Sequence, residues 1–167
     1  MTCFKQKEHG GYRMEDSPGY HIFRVSMALR QGLRRTFQAE GLDVTPDQFG
    51  VLFILWEQEG VSQRELAETC FKDMASVTRM IDALERKELV RREPDPSDRR
   101  SHRLMLTQEG RDLRRLLVPL AMECREHSFS CLSEADQGEL MRMLRTLAAH
   151  MGVPSCGVGE MDNRIGK

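Results

Sequence analysis

The chain has 167 residues, a length that suits one domain with a buried core. Its formal net charge is −1, so overall charge alone would not hold nucleic acid. Five cysteines, an odd number, argue against a disulfide framework. No apolar run approaches the roughly 20 residues that cross a bilayer, and the N-terminus lacks the apolar centre of a secretory signal. We therefore expect a cytoplasmic protein with no membrane partner.

The first half of the chain predicts a polar extension followed by two helices. Residues 1–19 lack periodicity and are expected to be a flexible N-terminal extension. From about Tyr20 to Glu40, apolar residues recur every three or four positions, which predicts a helix with one apolar stripe. Thr45-Pro46-Asp47-Gln48 then has the form of a capping box, and it predicts a helix that is apolar on most faces and ends before Gly60.

A pair of short helices follows. Ser62-Gln63-Arg64-Glu65 is a second capping box, which predicts a helix to about Thr69. After the tight connection Cys70-Phe71-Lys72, Asp73 is predicted to cap another helix that runs to about Lys87. This helix has an inward apolar stripe and a polar opposite face, on which Asp82 is expected to orient Arg79 or Arg86.

Two strands and two long helices complete the pattern. Segments 89–93 and 102–106 are predicted to be the strands of a hairpin around an irregular, proline-containing loop, and five arginines lie between Arg91 and Arg103. Thr107 is predicted to cap a long helix that Pro119 kinks, and Ser133 to open the last helix. Residues 152–167 are expected to be a flexible tail. The predicted fold is mostly α with a small β-hairpin wing.

The order of these elements is that of a winged helix-turn-helix, with a DNA-binding lobe over residues 45–106. Such a motif places the first two turns of its second helix in the major groove, where Arg79 is long enough to read guanine. An arginine at the tip of the wing suits the minor groove. The residues predicted to bind double-stranded DNA are Ser62, Gln63, Lys72, Ala75, Ser76, Thr78, Arg79, Asp98, Arg99 and Arg100, with Asp98 as a brace for a neighbouring arginine.

At this point the chain resembles the MarR family of bacterial regulators. The resemblance lies in SQRELAETC, in VTRMIDALERKELVRREPDPSDRRSHRLMLTQEGRDL, and above all in the wing stretch Asp95 to Arg100. It implies a homodimer formed by segments 20–44 and 107–151. It further implies a recognition helix with Ser76, Thr78 and Arg79, a wing arginine at Arg99, and a repressor that leaves a pseudo-palindromic operator on binding a small aromatic or phenolic effector. Glu88 departs from the pattern, because the family commonly has glycine there.

Several residues suggest an effector or sensing site. Phe53 and Trp56 could line an apolar pocket whose polar contacts come from His21, Arg24 and Arg30, as the family resemblance suggests, although apolar residues at helical spacing also fit a plain core. Cys70 lies at the turn before the recognition helix, where its oxidation could change DNA binding, or where it could simply fill the turn.

Two other sets of observations remain open. Cys124, His127 and Cys131 have helical spacing and form a weak candidate for a soft-metal site, with packing near a dimer interface as the alternative; no cofactor is expected.

No nucleophile–base set or phosphate-binding glycine loop is present, so no enzyme is predicted. The alternatives to an effector-released repressor are a cysteine-based redox sensor of the same fold, a carrier built on this scaffold, and a winged-helix module that contacts only proteins.

Overall fold

The structure is a computed structural model that describes residues 13–96 and 101–153. This part of the chain is mostly helical with one small antiparallel sheet, which confirms the predicted fold class. The helices are α1 (Pro18–Ala39), α2 (Pro46–Glu57), α3 (Gln63–Thr69), α4 (Met74–Arg86), α5 (Gln108–Asp112), α6 (Arg114–Phe129) and α7 (Glu134–His150); the strands are β1 (Val61–Ser62), β2 (Val90–Pro94) and β3 (His102–Leu106), and a 3-10 helix spans Met14–Asp16.

Five of the described helices begin directly after the capping residue that the sequence predicts. The side chains of Thr45, Ser62, Asp73, Thr107 and Ser133 each accept a hydrogen bond from the backbone N–H three residues further on. The capping boxes Thr45–Gln48 and Ser62–Glu65 are both complete. Helix α1 begins at Pro18, where Ser17 caps it, and the 3-10 helix precedes it, so the first helix starts two residues before the predicted Tyr20. Residues 1–12 lie outside the described part.

The sheet has one strand more than the sequence predicted. Its order is β1-β3-β2, with all pairs antiparallel, and Val90 pairs with Leu106 in the hairpin. Val61 pairs with Leu104 on the other side of β3. Strand β1 has only two residues, too few to show an alternating pattern.

The long helix predicted from Thr107 is interrupted. Leu113 separates α5 from α6, and α6 then continues across Pro119. The interruption therefore falls at Leu113 and not at the proline. On α6, Leu117 is fully buried and the neighbouring Leu116 is exposed.

One core joins the elements around the sheet. It takes residues from the end of α1, from α2, α3 and α4, from the strands and from α6, and its fully buried side chains include Phe37, Leu52, Leu55, Leu66, Ile81, Leu84, Leu104, Leu106 and Leu117. Phe37 and Leu117 anchor the two flanking helices on the helix-turn-helix lobe. Apolar packing thus holds α3 and α4 against the rest of the core.

Helix α4 ends in a Schellman motif. The backbone N–H of Leu89 donates to Leu84 (3.0 Å) and that of Glu88 donates to Glu85 (2.9 Å). Glu88 takes a φ of 57°, the left-handed conformation that glycine adopts without cost. The turn therefore has the geometry for which the MarR family, which this chain resembles, commonly uses glycine. Glu88 adopts that geometry with backbone strain.

We expect Glu88→Gly to stabilise the fold by about 1 kcal/mol, because it removes the side chain that disfavours this conformation. Thermal denaturation at one fixed protein concentration should show a rise in Tm of about 2–4 °C. A lower Tm would mean that the exposed Glu88 side chain itself stabilises the folded protein.

Candidate nucleic-acid interface

The turn between α3 and α4 fixes the position of the second helix. Phe71 has a φ of 51°, and its backbone N–H donates to Glu68 (3.1 Å), while that of Lys72 donates to Ala67 (3.0 Å). Asp73 then caps α4 by accepting from the backbone N–H of Ser76 at 2.8 Å. Four residues, Cys70 to Asp73, thus connect the two helices, a length that is typical of a helix-turn-helix.

Helix α4 buries one face and exposes the other. Val77, Ile81 and Leu84 are buried, whereas Ala75 and Arg79 are exposed on the opposite side. This confirms the predicted amphipathic arrangement of the helix. Between positions 75 and 79 the exposed side carries only small or polar residues, and Met74, the first residue of the helix, is also exposed. The polar part of this side suits a DNA groove.

Hydrogen bonds organise the polar start of α4. The hydroxyl of Ser76 donates to Asp73 (2.7 Å), and Arg79 donates to that hydroxyl at 3.0 Å. Two hydrogen bonds lower the pKa of the exposed Asp73 carboxyl: the larger effect comes from the Ser76 side chain and the smaller from the Ser76 backbone N–H. Arg79 uses one of its five donors here, which leaves others to reach a base edge or a phosphate. The hydroxyl of Thr78 donates to the backbone of Met74 (2.8 Å).

Three of the five arginines around the wing are paired within the protein. Arg91 contacts Glu93 at 2.7 Å and Arg103 contacts Asp95 at 3.0 Å. Arg92 joins β2 to α4, because its guanidinium contacts Asp82 (2.7 Å) and also Glu85. The prediction that Asp82 orients Arg79 or Arg86 is therefore wrong: it holds Arg92. The other two arginines, Arg99 and Arg100, lie with Asp98 outside the described residues.

Two of the remaining residues predicted to contact DNA, Ser62 and Lys72, make contacts within the protein. Ser62 caps α3, and its hydroxyl accepts from Glu65 N at 3.2 Å. The side-chain nitrogen of Gln63 is buried and has no hydrogen-bond partner among the described residues. Lys72 pairs with Asp47 (3.0 Å) instead of standing free, a contact between residues that the sequence did not connect.

A cavity of about 500 Å³ lies between the flanking helices and the helix-turn-helix. Its walls are mostly apolar, and four charged side chains enter it. It is lined by Arg30, Pro46, Asp47, Phe49, Gly50, Phe53, Ile54, Thr69, Cys70, Lys72, Val118, Ala121, Met122 and Arg125.

The structure brings together only part of the predicted effector site. Phe53 and Arg30 line the cavity, as expected. His21 instead hydrogen-bonds the backbone oxygen of Glu15. Arg24 lines a neighbouring cleft between α1 and the start of α2, which shares Arg30, Pro46 and Asp47 with the cavity. Trp56 donates from its ring nitrogen to the backbone oxygen of Gly110 at 2.8 Å, as a core residue does. Sequence reasoning missed Asp47 and Arg125, because nothing local marks a residue that faces a cavity between distant elements.

The cysteines do not form the metal site considered above. Helix α6 ends at Phe129, so Cys131 lies beyond it and does not share a helical face with Cys124 and His127. Within residues 13–96 and 101–153, no three His, Cys, Asp or Glu side chains form a group that could hold a metal ion. Cys124 packs against α1 at Gly32, and Cys70 is half-buried at the end of α3.

The geometry defines a winged helix-turn-helix protein with a polar recognition helix, and comparison with known proteins gives its family. A MarR-family model matches residues 44–102. The chain is 31% identical over 140 residues to a Thauera aromatica protein described as a transcriptional regulatory protein for the hcr operon, covering 83% of this chain and 82% of that protein. It is 30% identical over 139 residues to the HTH-type transcriptional repressor NicR of Pseudomonas putida, covering 80% of this chain and 88% of NicR.

Solved structures agree in fold. The transcriptional repressor CouR bound to a 23-mer DNA duplex superposes with a TM-score of 0.74 at 31% identity, covering 85% of this chain and 99% of CouR. BpsR of Bordetella bronchiseptica, whose DNA binding is regulated by 6-hydroxynicotinic acid, gives a TM-score of 0.76 at 27% identity, covering 83% of this chain and 98% of BpsR.

The chain belongs to the MarR family. It is a DNA-binding transcriptional regulator, and the expectation that it is not an enzyme is confirmed by its family, whose regulators are non-enzymatic. None of the helices in the described ranges is long and apolar enough to cross a membrane.

Proposed function

We propose that the protein is a cytoplasmic, homodimeric repressor that binds a pseudo-palindromic operator and leaves it when a small aromatic effector binds. The observation that carries the proposal is α4, with its buried apolar face and with Arg79 held by Ser76 on the exposed face. NicR and CouR, both named repressors, are similar to the chain over most of its length.

Unburied apolar residues support the dimer. Helix α7 has an apolar stripe, yet none of its residues is buried within one subunit. Further apolar side chains are exposed near the start of α1, and together the two sets include Ile22, Phe23, Val25, Met27, Met143, Leu144, Leu147 and Met151. Exposed apolar side chains on two long helices are typical of a homodimer interface. Two-fold pairing would place two α4 helices about one DNA turn apart, to match an operator with two-fold symmetry.

The cavity between the flanking helices and the helix-turn-helix supports the proposal of a small-molecule effector. It combines apolar walls from Phe49, Phe53 and Ile54 with a few charged groups, the composition of sites for small organic ligands. The regulator of BpsR, 6-hydroxynicotinic acid, is a ligand of this size class. We place the effector of this protein in the same cavity, against Phe53 and Arg30.

A DNA titration tests the proposal. Purified protein is titrated against labelled DNA from upstream of its own gene and against scrambled DNA, at two salt concentrations. We expect a preference of about a thousandfold or more for the first. Equal, strongly salt-dependent binding to both would mean phosphate attraction only, and no binding at low salt would refute the proposal. Adding an oxidant to the same assay tests the redox alternative at Cys70.

We expect Arg79→Ala to weaken operator binding by about tenfold to a hundredfold, because a guanidinium that reads a base edge contributes about 1–3 kcal/mol. Fluorescence anisotropy on the operator gives the two dissociation constants. Arg145→Ala removes the same charge from α7 and serves as the control. If both variants bind equally well, Arg79 does not contact the DNA.

A further inference from the structure

A groove of about 620 Å³ lies beside the turn between α3 and α4. Two apolar side chains are exposed in it: Phe71, in the turn itself, is 68% exposed, and Met74, the first residue of α4, is 47% exposed. Ala67 of α3 also lines the groove and is buried. The start of the recognition helix therefore presents an apolar surface, on the same helix as the polar side that carries Ser76 and Arg79.

Phe71 contributes little to the stability of the free subunit. Its φ of 51° lies in the left-handed region, which glycine adopts without cost and a residue with a Cβ does not. Its ring is mostly exposed, so little of the hydrophobic energy of a phenylalanine side chain is gained on folding. A strained residue that exposes an aromatic ring beside a DNA-binding helix indicates contact with another molecule.

The charged side chains of the groove already have partners within the protein. Arg64 pairs with Glu68 at 3.1 Å, and Lys72 pairs with Asp47 at 3.0 Å. Asp73 caps α4, and its carboxylate would repel a phosphate. A charged ligand would have to break these contacts, whereas an apolar group can lie between them without that cost. The groove therefore favours an apolar group over the phosphates of the DNA backbone.

We propose that this groove receives the C5-methyl group of a thymine, so that Phe71 and Met74 make a T·A pair part of each half-site. Among the groups that a base pair presents in the major groove, the thymine methyl is the apolar one, and phenylalanine is one of the side chains that contact it. The N-terminal residues of a recognition helix contact base edges, and Met74 is the first residue of α4.

This inference rests on the proposed function, because it needs α4 to lie in the major groove. It adds a specificity determinant that lies partly outside the helix, in the turn. The polar contacts of Arg79 and the apolar contact of Phe71 and Met74 then read different base pairs of the same half-site, because they occupy different sides of the start of α4.

Replacing thymidine by deoxyuridine in the operator tests the contact, because this change removes the methyl group and keeps the base pairing. Each thymine is replaced in turn, at the equivalent positions of both half-sites, and the dissociation constant of the full chain is measured by fluorescence anisotropy. Burial of one methyl group contributes about fourfold in affinity. We therefore expect one pair of positions at which the replacement weakens wild-type binding by about fifteenfold.

The same pair of DNA duplexes is then titrated with Met74→Ala and with Phe71→Gly. In each variant the loss on removing the methyl group should fall below about threefold, because the methyl has lost an apolar partner. Met14→Ala is the matched control, since it removes an exposed methionine outside the DNA-binding lobe and should keep the full methyl effect.

Phe71→Gly also separates a DNA contact from a structural role. Glycine adopts the φ of position 71 without strain, so this variant should raise the Tm by about 2–4 °C while it weakens binding to the thymine operator. A side chain that serves only the fold would lower both the Tm and the affinity.

The thymine contact would be overturned if no replacement by deoxyuridine weakened wild-type binding by more than about twofold, or if either variant kept the full methyl effect. In both cases the operator is still bound, and the proposed repressor stands. If the wild type does not bind the operator at all, the proposed function fails, and the thymine contact fails with it.

Discussion

Replacing Gly110 by alanine is expected to lower the free energy of unfolding by about 3 kcal/mol. A Cβ at this position would lie 2.1 Å from the carbonyl oxygen of Leu89 and 3.1 Å from its carbonyl carbon. The first distance is far shorter than any contact between such atoms. Because both are backbone atoms, no rotation of a side chain can relieve the overlap.

The backbone around Gly110 is also tied on several sides. Leu89 O accepts from the backbone N–H of Thr107 (3.1 Å), and Leu89 N donates to Leu84 at 3.0 Å. Gly110 in turn donates its N–H to the capping hydroxyl of Thr107 and accepts from Trp56. Moving either segment would break contacts that join α2, α5 and the start of β2, so the strain cannot relax locally.

Thermal denaturation of the variant at one fixed protein concentration should show a Tm lower by about 6–12 °C. Gly138→Ala is the control, because no atom lies within 4 Å of its Cβ position and alanine favours a helix interior by about 1 kcal/mol. The two glycine-to-alanine changes should therefore shift the Tm in opposite directions. Equal Tm values for Gly110→Ala and wild type would mean that the approach of Leu89 to Gly110 is not as close as described.

Local signals in the sequence predicted most of the helix starts. A cap such as Thr45 or Asp73 acts on a backbone group three residues away, so its effect is contained in a short stretch of sequence. The geometry at the end of α4 was harder to predict, because position 88 carries glutamate where the family commonly has glycine. There the turn is held by the hydrogen bonds of the Schellman motif and by the burial of Leu89, and not by the preference of residue 88.

The sequence did not predict which charged groups meet. Lys72 was predicted to contact DNA, and the structure pairs it with Asp47, 25 positions earlier. Arg92 was counted among the basic residues of the wing, yet it is held by Asp82 and Glu85. Such pairs depend on how elements pack, and neither residue type nor spacing encodes them. The same limit applies to the cavity, whose residues come from α1, α2, α3 and α6.

These ion pairs affect the electrostatics of the proposed DNA complex. Arginines that are already paired with carboxylates contribute little to counterion release. Arg91, Arg92 and Arg103 are in this position, so the salt dependence of operator binding should be smaller than a count of arginines suggests. The pairing of Arg92 with α4 instead holds the wing at a fixed place relative to the recognition helix.

Leu147→Glu is expected to separate the proposed dimer into subunits. Leu147 is 45% exposed within one subunit and lies in the middle of the apolar stripe of α7. In a two-fold interface every substitution occurs twice, so two carboxylates would be taken from water without partners. An unpaired buried charge costs about 3–5 kcal/mol, and dimerisation should weaken by at least about a hundredfold.

Sedimentation measurements across a concentration series would give the dimer dissociation constant of each variant. Leu147→Met keeps the volume and apolar character and should remain dimeric. Ala149→Glu adds the same charge in the last turn of α7 but on the opposite face, and it should also remain dimeric. Loss of the dimer in both glutamate variants would indicate a general effect of charge on α7 and not an interface at Leu147.

The same variants connect assembly to DNA binding. One subunit carries one α4 and can contact one half-site, whereas a dimer gains the second half-site at a high effective concentration. Monomeric Leu147→Glu should therefore lose at least about a hundredfold in operator affinity while it keeps weak, salt-dependent binding to any DNA. If the monomeric variant kept wild-type operator affinity, recognition would need only one subunit, and the exposed face of α7 would have to serve another partner.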